Sequence, residues 1–117
     1  ILAMRDYNDN PPAASMTTHA ATTMAPANRE GLYNPFAAIH ASGTGTEAYK
    51  REWNLFDQIL VSPAFLAPGG WQFSQASVYA PSFMRIGKNG YPRRAFLGTR
   101  WGHGYSDHFP VVVALRR

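Results

Sequence analysis

The feature that most constrains the fold is an apolar run near the C-terminus. Residues 109–115 read Phe-Pro-Val-Val-Val-Ala-Leu, and valine favours extended backbone. Because side chains alternate between the two faces of a strand, this run presents apolar groups on both faces. We therefore predict a final strand that lies inside a stack of layers.

Size and composition indicate one globular domain. The chain has 117 residues, of which 45% are hydrophobic and 15% charged, enough for one core and too apolar for a disordered chain. The absence of cysteine excludes disulfides and thiolate metal sites and leaves the compartment open. No apolar run approaches the roughly 20 residues of a membrane helix, so we expect no membrane span. No signal peptide is visible.

Two other parts of the chain predict β-strands. Residues 1–5 read as the middle of a strand, so we expect the chain to be a fragment or a processed product. Residues 47–50 and 53–61 predict a hairpin that follows a flexible Gly-rich turn at 43–46.

The remaining segments predict weaker elements. Residues 13–21 predict a poor helix, since threonines disfavour it, and residues 26–35 a loop. Residues 77–80 predict a short strand. Residues 81–105 contain two prolines and five glycines and predict a long irregular segment, of a kind that is usually functional.

An acid lies within the predicted strand at residues 53–61. Alternation places Asp57 on the more apolar face, with Trp53, Leu55, Ile59 and Val61. Burying an unpaired carboxylate is costly, so Asp57 should have a partner, and a histidine is the natural candidate. The alternative is a structural carboxylate bonded to a backbone turn or to an arginine.

A second polar group stands directly before the final strand. Ser106-Asp107-His108 follows a glycine-containing turn that can present these side chains at a strand end. An adjacent Asp-His pair is weak evidence alone, because a single histidine is more often structural. We give that interpretation to the other histidines, which are His19, His40 and His103.

A third polar group ends the first strand. Asp6 and Asn8 alternate to the same side, and a carboxylate with an amide suits a hard cation and a phosphate oxygen. The same residues could equally form a helix-capping loop.

Charge is concentrated in one segment. The net charge is +4, and residues 85–100 contain no acid. The cations there are Arg85, Lys88, Arg93, Arg94 and Arg100, with Phe83, Tyr91, Phe96 and Trp101 in or beside them. This mixture suits nucleic acid, whose phosphates meet cations and whose bases stack on rings. A solvated loop with a few core anchors explains it equally well.

Taken in order, the three polar groups resemble the endonuclease/exonuclease/phosphatase superfamily, which includes deoxyribonuclease I, apurinic/apyrimidinic endonucleases, sphingomyelinases and inositol-polyphosphate phosphatases. Residues 2–9 resemble its motif ending Gly-Asp-Phe-Asn, residues 55–62 its Asp-bearing strand, and residues 105–111 its terminal Ser-Asp-His signature. The resemblance covers essentially the whole chain as the C-terminal part of that family's domain.

The resemblance implies an α/β (α+β) fold, half of a four-layer α/β sandwich with mostly antiparallel sheets, deoxyribonuclease I-like. Residues 1–117 would then be the C-terminal part of a single domain, supplying about one sheet plus a helix. The N-terminal half would be a companion, in the same gene product or in a second chain. Without it, an apolar sheet face would be exposed.

The resemblance also implies a metal-dependent phosphoesterase that uses Mg²⁺ or Mn²⁺ and attacks phosphorus with water. His108 would be the general base or a donor to a phosphate oxygen, oriented by Asp57. Asp107 would hold the metal. Asp6 would align or deprotonate the water, Asn8 would bind the phosphate, and both would support the metal site.

Substrate contacts are expected from Arg93, Arg94, Arg100 and Tyr105, with DNA or RNA favoured over other phosphate esters. Arg5 stands where the family has glycine, and it either crowds the site or adds a phosphate contact. Two alternatives therefore remain, a catalytically inactive relative acting as an interaction module and a nucleic-acid-binding fragment. We predict that Asp57 bonds His108, and that Asp6, Asn8, Asp107 and His108 converge at one end of the sheet.

Overall fold

The computed structural model describes residues 1–20, 22–23, 26 and 30–117. Within them the strands are β1 (Leu2–Asp6), β2 (Thr22–Thr23), β3 (Leu32–Tyr33), β4 (Glu47–Tyr49), β5 (Glu52–Asn54), β6 (Asp57–Val61), β7 (Gln72–Val78), β8 (Arg85–Ile86), β9 (Tyr91–Pro92), β10 (Phe96–Leu97), β11 (Arg100–Trp101) and β12 (Val111–Arg116). The helical elements are α1 (Phe36–Ala41), a π-helical turn (Ser15–His19) and two 3₁₀ turns (Pro63–Leu66 and Ser82–Met84).

The larger sheet is built around β6. Its strand order is β1-β6-β3-β2, with β6 antiparallel to both neighbours and β2 parallel to β3. The β1–β6 register runs from Leu2 opposite Val61 to Asp6 opposite Asp57. Four of the five β6 residues are buried, so packing in the core determines the position of this strand. The register brings two acids side by side where the strands meet the loops.

The second sheet pairs β12 with β7, antiparallel, with an irregularity between Ala114 and Leu115. The core cluster contains Phe36 from α1, Leu55 and Ile59. Leu2, Ala76, Val111 and Val113 from the two sheets and Ile39 from α1 pack against it. The sheets therefore face each other across one core, with α1 contributing to it, and the fold is α+β.

Three two-stranded ribbons complete the structure: β4–β5, β8–β9 and β10–β11. The last two lie in the segment that the sequence predicts as irregular. We name residues 85–105 the ribbon region. Five of its large apolar side chains are half or more exposed, from Leu97 at 50% to Tyr105 at 61%, whereas Tyr91 is half-buried.

Several sequence predictions need correction. The predicted strand over 53–61 is broken at Leu55 and Phe56, whose backbone amides bond the side chains of Asn10 and Thr46 instead of a strand partner. The resulting β5 and β6 belong to different sheets. The expectation of about one sheet was wrong, because the chain contributes strands to two facing sheets.

The final strand was predicted to be buried on both faces, and this was wrong for one face. Val111, Val113 and Leu115 are partly buried, whereas Val112 is 44% exposed and Ala114 is exposed. The inner face packs on the core, and the outer face lies open in the described chain.

Local elements also differ from prediction. Helix α1 was not predicted, since six residues rich in alanine give no readable periodicity. The predicted helix at 13–21 is a five-residue π-helical turn, and residue 21 lies outside the described residues. The predicted loop at 26–35 contains β3, and its residues 27–29 are likewise outside. The predicted strand at 77–80 instead begins at Gln72. No helix in the described chain has the length and apolar character needed to span a bilayer.

Candidate active site

The Asp57 carboxylate and the His108 imidazole are in direct contact. His108 Nδ1 lies 2.7 Å from Asp57 Oδ2, with side chains 27% and 22% exposed respectively. An ionised carboxylate only accepts hydrogen bonds, so Nδ1–H donates and Nε2 is left to exchange a proton. The predicted contact between these two residues is confirmed.

Asp6 joins this pair through the sheet register. It stands opposite Asp57 on neighbouring strands, so the two carboxylates share one face of the sheet. Ligand atoms of Asp6, Asp57 and His108 all lie within 4.8 Å of one another. We name these three residues the acid–histidine cluster.

The donor set of the cluster suits a divalent cation. Carboxylate oxygens are the ligands that Mg²⁺ prefers, and adding an imidazole extends the fit to Mn²⁺ and other transition metals. Asp57 and Asp6 each already accept one hydrogen bond, from His108 and from the N–H of Asn8, and Asp6 is the most exposed of the three residues.

Opposing effects act on the pKa of His108. Burial disfavours the imidazolium and lowers the pKa. The hydrogen bond and charge of Asp57 raise it, as do the charges of Asp107 and Asp6. The net result is a raised pKa, so the protein holds the protonated imidazole more firmly than water does.

Asn8 is fixed next to Asp6 by a tight turn. Its backbone N–H donates to Asp6 Oδ1 at 2.8 Å, and its φ of 53° is left-handed, a conformation that asparagine tolerates well. The N–H of Tyr7 donates to the Phe56 carbonyl at 2.8 Å and holds the turn against the chain entering β6. The turn therefore holds Asn8 beside Asp6, which belongs to the cluster.

Asp107 lies outside the cluster. Its carboxylate is 58% exposed and sits 4.0 Å from Arg94 Nη1. It is close enough for its charge to raise the pKa of His108. Of the residues predicted to converge, ligand atoms of Asp6 and His108 lie within 4.8 Å of each other, whereas Asp107 pairs with Arg94 of the ribbon region.

Arg5 does not crowd the site. Its Nε donates to the Asp6 carbonyl at 3.1 Å, and its guanidinium lies 5.8 Å from the centre of the Tyr7 ring. Neighbouring residues on a strand point to opposite faces, so Arg5 projects away from the Asp6 carboxylate. The departure from glycine at this position therefore leaves the cluster intact.

Sequence reasoning missed Thr46, which links the backbone at Asp57 to the backbone that follows His108. Thr46 is fully buried, and its carbonyl accepts from the N–H of Phe109 at 2.7 Å, directly after His108. Its hydroxyl accepts from the N–H groups of Phe56 and Asp57 at 3.3 and 3.4 Å. A lone threonine in a Gly-rich turn carries no sequence signal for this role.

A buried amide network also anchors the loop after β1. Asn10 Oδ1 accepts from the N–H of Leu55 at 2.7 Å, and Gln58 Nε2 donates to the Asp9 carbonyl at 2.7 Å. Gln58 is fully buried, and its Oε1 accepts from Asn34 Nδ2 at 2.7 Å. These bonds fix the Asp6–Asn8 turn relative to Asp57.

Three of the four predicted substrate residues line one or both of two clefts. Arg94 and Tyr105 line a cleft of about 290 Å³ that includes Ser106 and Asp107. Arg93 and Arg94 line a second cleft of about 230 Å³, which also reaches Asp107. Arg100 lies exposed on β11 and lines neither of these two clefts.

Comparison with known proteins identifies the family. The sequence profile described as the Endonuclease/Exonuclease/phosphatase family matches residues 1–117, the whole of the chain. Searches of curated proteins and of solved structures returned no match. Because the profile matches the whole chain and the acid–histidine cluster is present, the chain belongs to the endonuclease/exonuclease/phosphatase family.

Proposed function

We propose that this chain carries the catalytic dyad of a metal-dependent phosphoesterase that hydrolyses its substrate by water attack at phosphorus. The observation that carries the proposal is the Asp57–His108 hydrogen bond beside the Asp6 carboxylate, three groups within 4.8 Å. Family membership supports hydrolysis of a phosphoester as the reaction class.

Each residue has a role that its surroundings favour. His108 takes a proton from the attacking water at Nε2 or donates one to a phosphate oxygen. Asp57 holds the imidazole in the required tautomer and stabilises the imidazolium. Asp6, the exposed acid of the cluster, aligns or deprotonates the water. Asn8 binds the phosphate beside it.

A divalent cation is part of the proposal. Asp6, together with Asn8 and with Asp107 from outside the cluster, would hold Mg²⁺ or Mn²⁺, while Asp57 and His108 keep their mutual hydrogen bond. The ion would supply charge neutralisation at the phosphoryl oxygens. The ion pair between Asp107 and Arg94 is exposed and long at 4.0 Å, so it contributes little and leaves the carboxylate available.

The proposed substrate is a phosphodiester of nucleic acid. Arg93, Arg94 and Tyr105 line clefts that reach Asp107, and Arg100 adds exposed charge nearby in the chain. Guanidinium groups suit phosphates, and an exposed tyrosine ring suits a base.

We also propose that these residues form the C-terminal part of a larger domain, completed by an N-terminal companion half. The exposed apolar side chains of both sheets support this, since Met4 on the edge strand β1 is 63% exposed and Val112 is 44% exposed. Covering such surface stabilises a fold by burial.

The test is turnover of bis-p-nitrophenyl phosphate with Mg²⁺, with Mn²⁺ and with EDTA. We expect the chain combined with its companion half to hydrolyse it only with metal, and the chain alone to be nearly inactive. Metal-independent turnover, or none by the combined protein, contradicts the function. Robust turnover by the isolated chain contradicts the companion half.

An inactive nucleic-acid-binding module is the second candidate, favoured by the exposed rings and cations of the ribbon region. It predicts DNA binding that weakens with salt and is not accompanied by turnover. Measuring binding and hydrolysis on the same sample separates the two functions.

A further inference from the structure

A nearly buried carboxylate on β4 has no part in the proposed chemistry. Glu47 is 7% exposed, and in the part of the chain that the structure describes no cation forms an ion pair with it. Its Oε1 accepts a hydrogen bond from Asn54 Nδ2 at 2.7 Å, and Asn54 stands opposite it in the β4–β5 ribbon. Burying a carboxylate is costly, and the hydrogen bond to Asn54 offsets part of that cost.

The hydrogen bond to Glu47 is the first of three that run in series. Asn54 Oδ1 accepts from Asn10 Nδ2 at 3.1 Å, and Asn10 Oδ1 accepts from the backbone N–H of Leu55 at 2.7 Å. We name Glu47, Asn54 and Asn10 the Glu47 relay. The relay runs from β4 to the loop after β1 and ends where the chain breaks between β5 and β6.

Glu47 fixes the direction of every bond in this series. An ionised carboxylate only accepts hydrogen bonds, whereas an amide side chain has a donor end and an acceptor end. Asn54 must therefore turn its NH₂ group toward Glu47, which leaves its oxygen for Asn10. Asn10 then donates to Asn54 and presents its own oxygen to the N–H of Leu55, which can only donate. Turning either amide over would bring two donors or two acceptors together, so only one arrangement satisfies both ends.

The relay reaches the chain on both sides of the candidate active site. Asn10 is two residues after Asn8, whose left-handed φ of 53° persists only where neighbouring groups fix the backbone. Leu55 is two residues before Asp57, the carboxylate that bonds His108. The relay therefore joins the loop that carries Asn8 to the chain that enters β6.

We propose that Glu47 is a positioning residue, which acts through Asn54 and Asn10 to hold Asn8 at the reacting phosphate. The inference rests on the proposed function, in which Asn8 binds that phosphate. Glu47 itself touches neither the substrate nor the metal ion. Its contribution is to fix the geometry of the phosphate-binding side chain before the substrate arrives, and catalysis of this kind depends on such positioning.

The first experiment measures kcat/KM for bis-p-nitrophenyl phosphate with Mn²⁺, in the chain combined with its companion half. Glu47→Leu removes the acceptor and should lower kcat/KM by on the order of tenfold, since displacing a substrate-binding group is costly. Glu47→Gln keeps an acceptor for Asn54 and should restore most of the activity. Glu52→Leu is the control, because Glu52 is an exposed acid on β5 of the same ribbon and should leave kcat/KM unchanged.

A double-mutant cycle separates positioning from a general structural role. Asn8→Gly removes the side chain that the relay is proposed to hold, and glycine accepts the positive φ. In this background Glu47→Leu should cost less than about twofold, because no asparagine is left to misplace. An equal loss in both backgrounds shows a structural role and overturns the inference, as does full activity of Glu47→Leu.

Hydrogen exchange tests the relay without turnover, and it does so even if Glu47→Leu fails to fold. Glu47→Gln no longer fixes the orientation of the two amides, so the N–H of Leu55 should exchange with solvent roughly several-fold faster. The N–H of Leu60, inside the buried strand β6, should be unchanged, and Glu52→Gln should leave both groups unchanged. Unchanged exchange at Leu55 in Glu47→Gln overturns the inference. Hydrolysis by the wild-type protein continues if only this inference fails and is absent if the proposed function fails.

Discussion

The acid–histidine cluster and the ribbon region differ in how their backbone is held and in how far their side chains are exposed. Asp6 lies on β1, Asp57 on β6 and His108 three residues before the start of β12. Hydrogen bonds from buried groups such as Thr46 and Gln58 hold the supporting backbone. The ribbon region contains four two-residue strands, and the side chains of three of them, β8, β10 and β11, are exposed. The difference separates side chains whose backbone is fixed by buried hydrogen bonds from a surface that exposes charges and aromatic rings.

The largest expected effect concerns the cluster. His108→Ala should slow metal-dependent hydrolysis by the completed enzyme at least about a hundredfold, the usual scale for a positioned acid–base group. Steady-state turnover of bis-p-nitrophenyl phosphate measures it, and Asp57→Asn should lose less if Asp57 only orients the imidazole. A greater loss in Asp57→Asn than in His108→Ala would contradict these roles.

The next effect concerns the ribbon region. Gly104→Ala forces a Cβ against the carbonyls of Arg93 and Arg94, and overpacking of this kind costs about 1–3 kcal/mol of unfolding free energy. Urea denaturation measures the cost. The control is Gly70→Ala, where an added Cβ meets nothing within 4 Å. Equal stability of the two variants would show that the ribbon is not packed as described.

A smaller effect is expected at the support of the dyad. Thr46→Val keeps the shape and removes the hydroxyl that accepts from the N–H groups of Phe56 and Asp57. Because these bonds are long, at 3.3 and 3.4 Å, we expect a loss near 1 kcal/mol, the lower end for such buried groups. Thr46→Ser keeps the hydroxyl and should restore most of the stability in the same urea measurement.

The smallest effect is a shift in titration. The raised pKa of His108 makes the imidazolium favourable in the folded protein, so its stabilising contribution is full below the ordinary pKa of about 6.5 and is lost as pH rises through the raised value. Asp57→Asn should lower the pKa of His108, followed by NMR titration of its ring protons in EDTA. An unchanged or higher pKa in this variant would contradict the assignment.

The sequence predicted the residues of the cluster more accurately than the elements around them. The Asp57–His108 contact was predictable because a carboxylate on an apolar strand face requires a partner and because residues 105–111 resemble the family's terminal Ser-Asp-His signature. Helix α1 was not, since Phe36–Ala41 is too short to show a period. The break at Leu55 and Phe56 depends on acceptors from Asn10 and Thr46, which are distant in sequence.

The same limit applies to exposure. The alternation in residues 111–116 shows which side chains share a face, but the burial of each face depends on what packs against it. Here Val113 meets the core, whereas Val112 is 44% exposed. Arg51 gave no sequence signal either, because only the fold brings it to the same cleft as Arg93.

The most direct test of the central claim, that Asp6, Asp57 and His108 belong to one metal-dependent centre, is a Mn²⁺ titration followed by NMR. Bound Mn²⁺ broadens the signals of nearby nuclei. We predict that substoichiometric Mn²⁺ selectively broadens the signals of Asp6, Asp57 and His108 and spares those of Arg116, and that Asp6→Asn weakens this effect. Broadening centred elsewhere on the chain, or none at these three residues, would contradict the account.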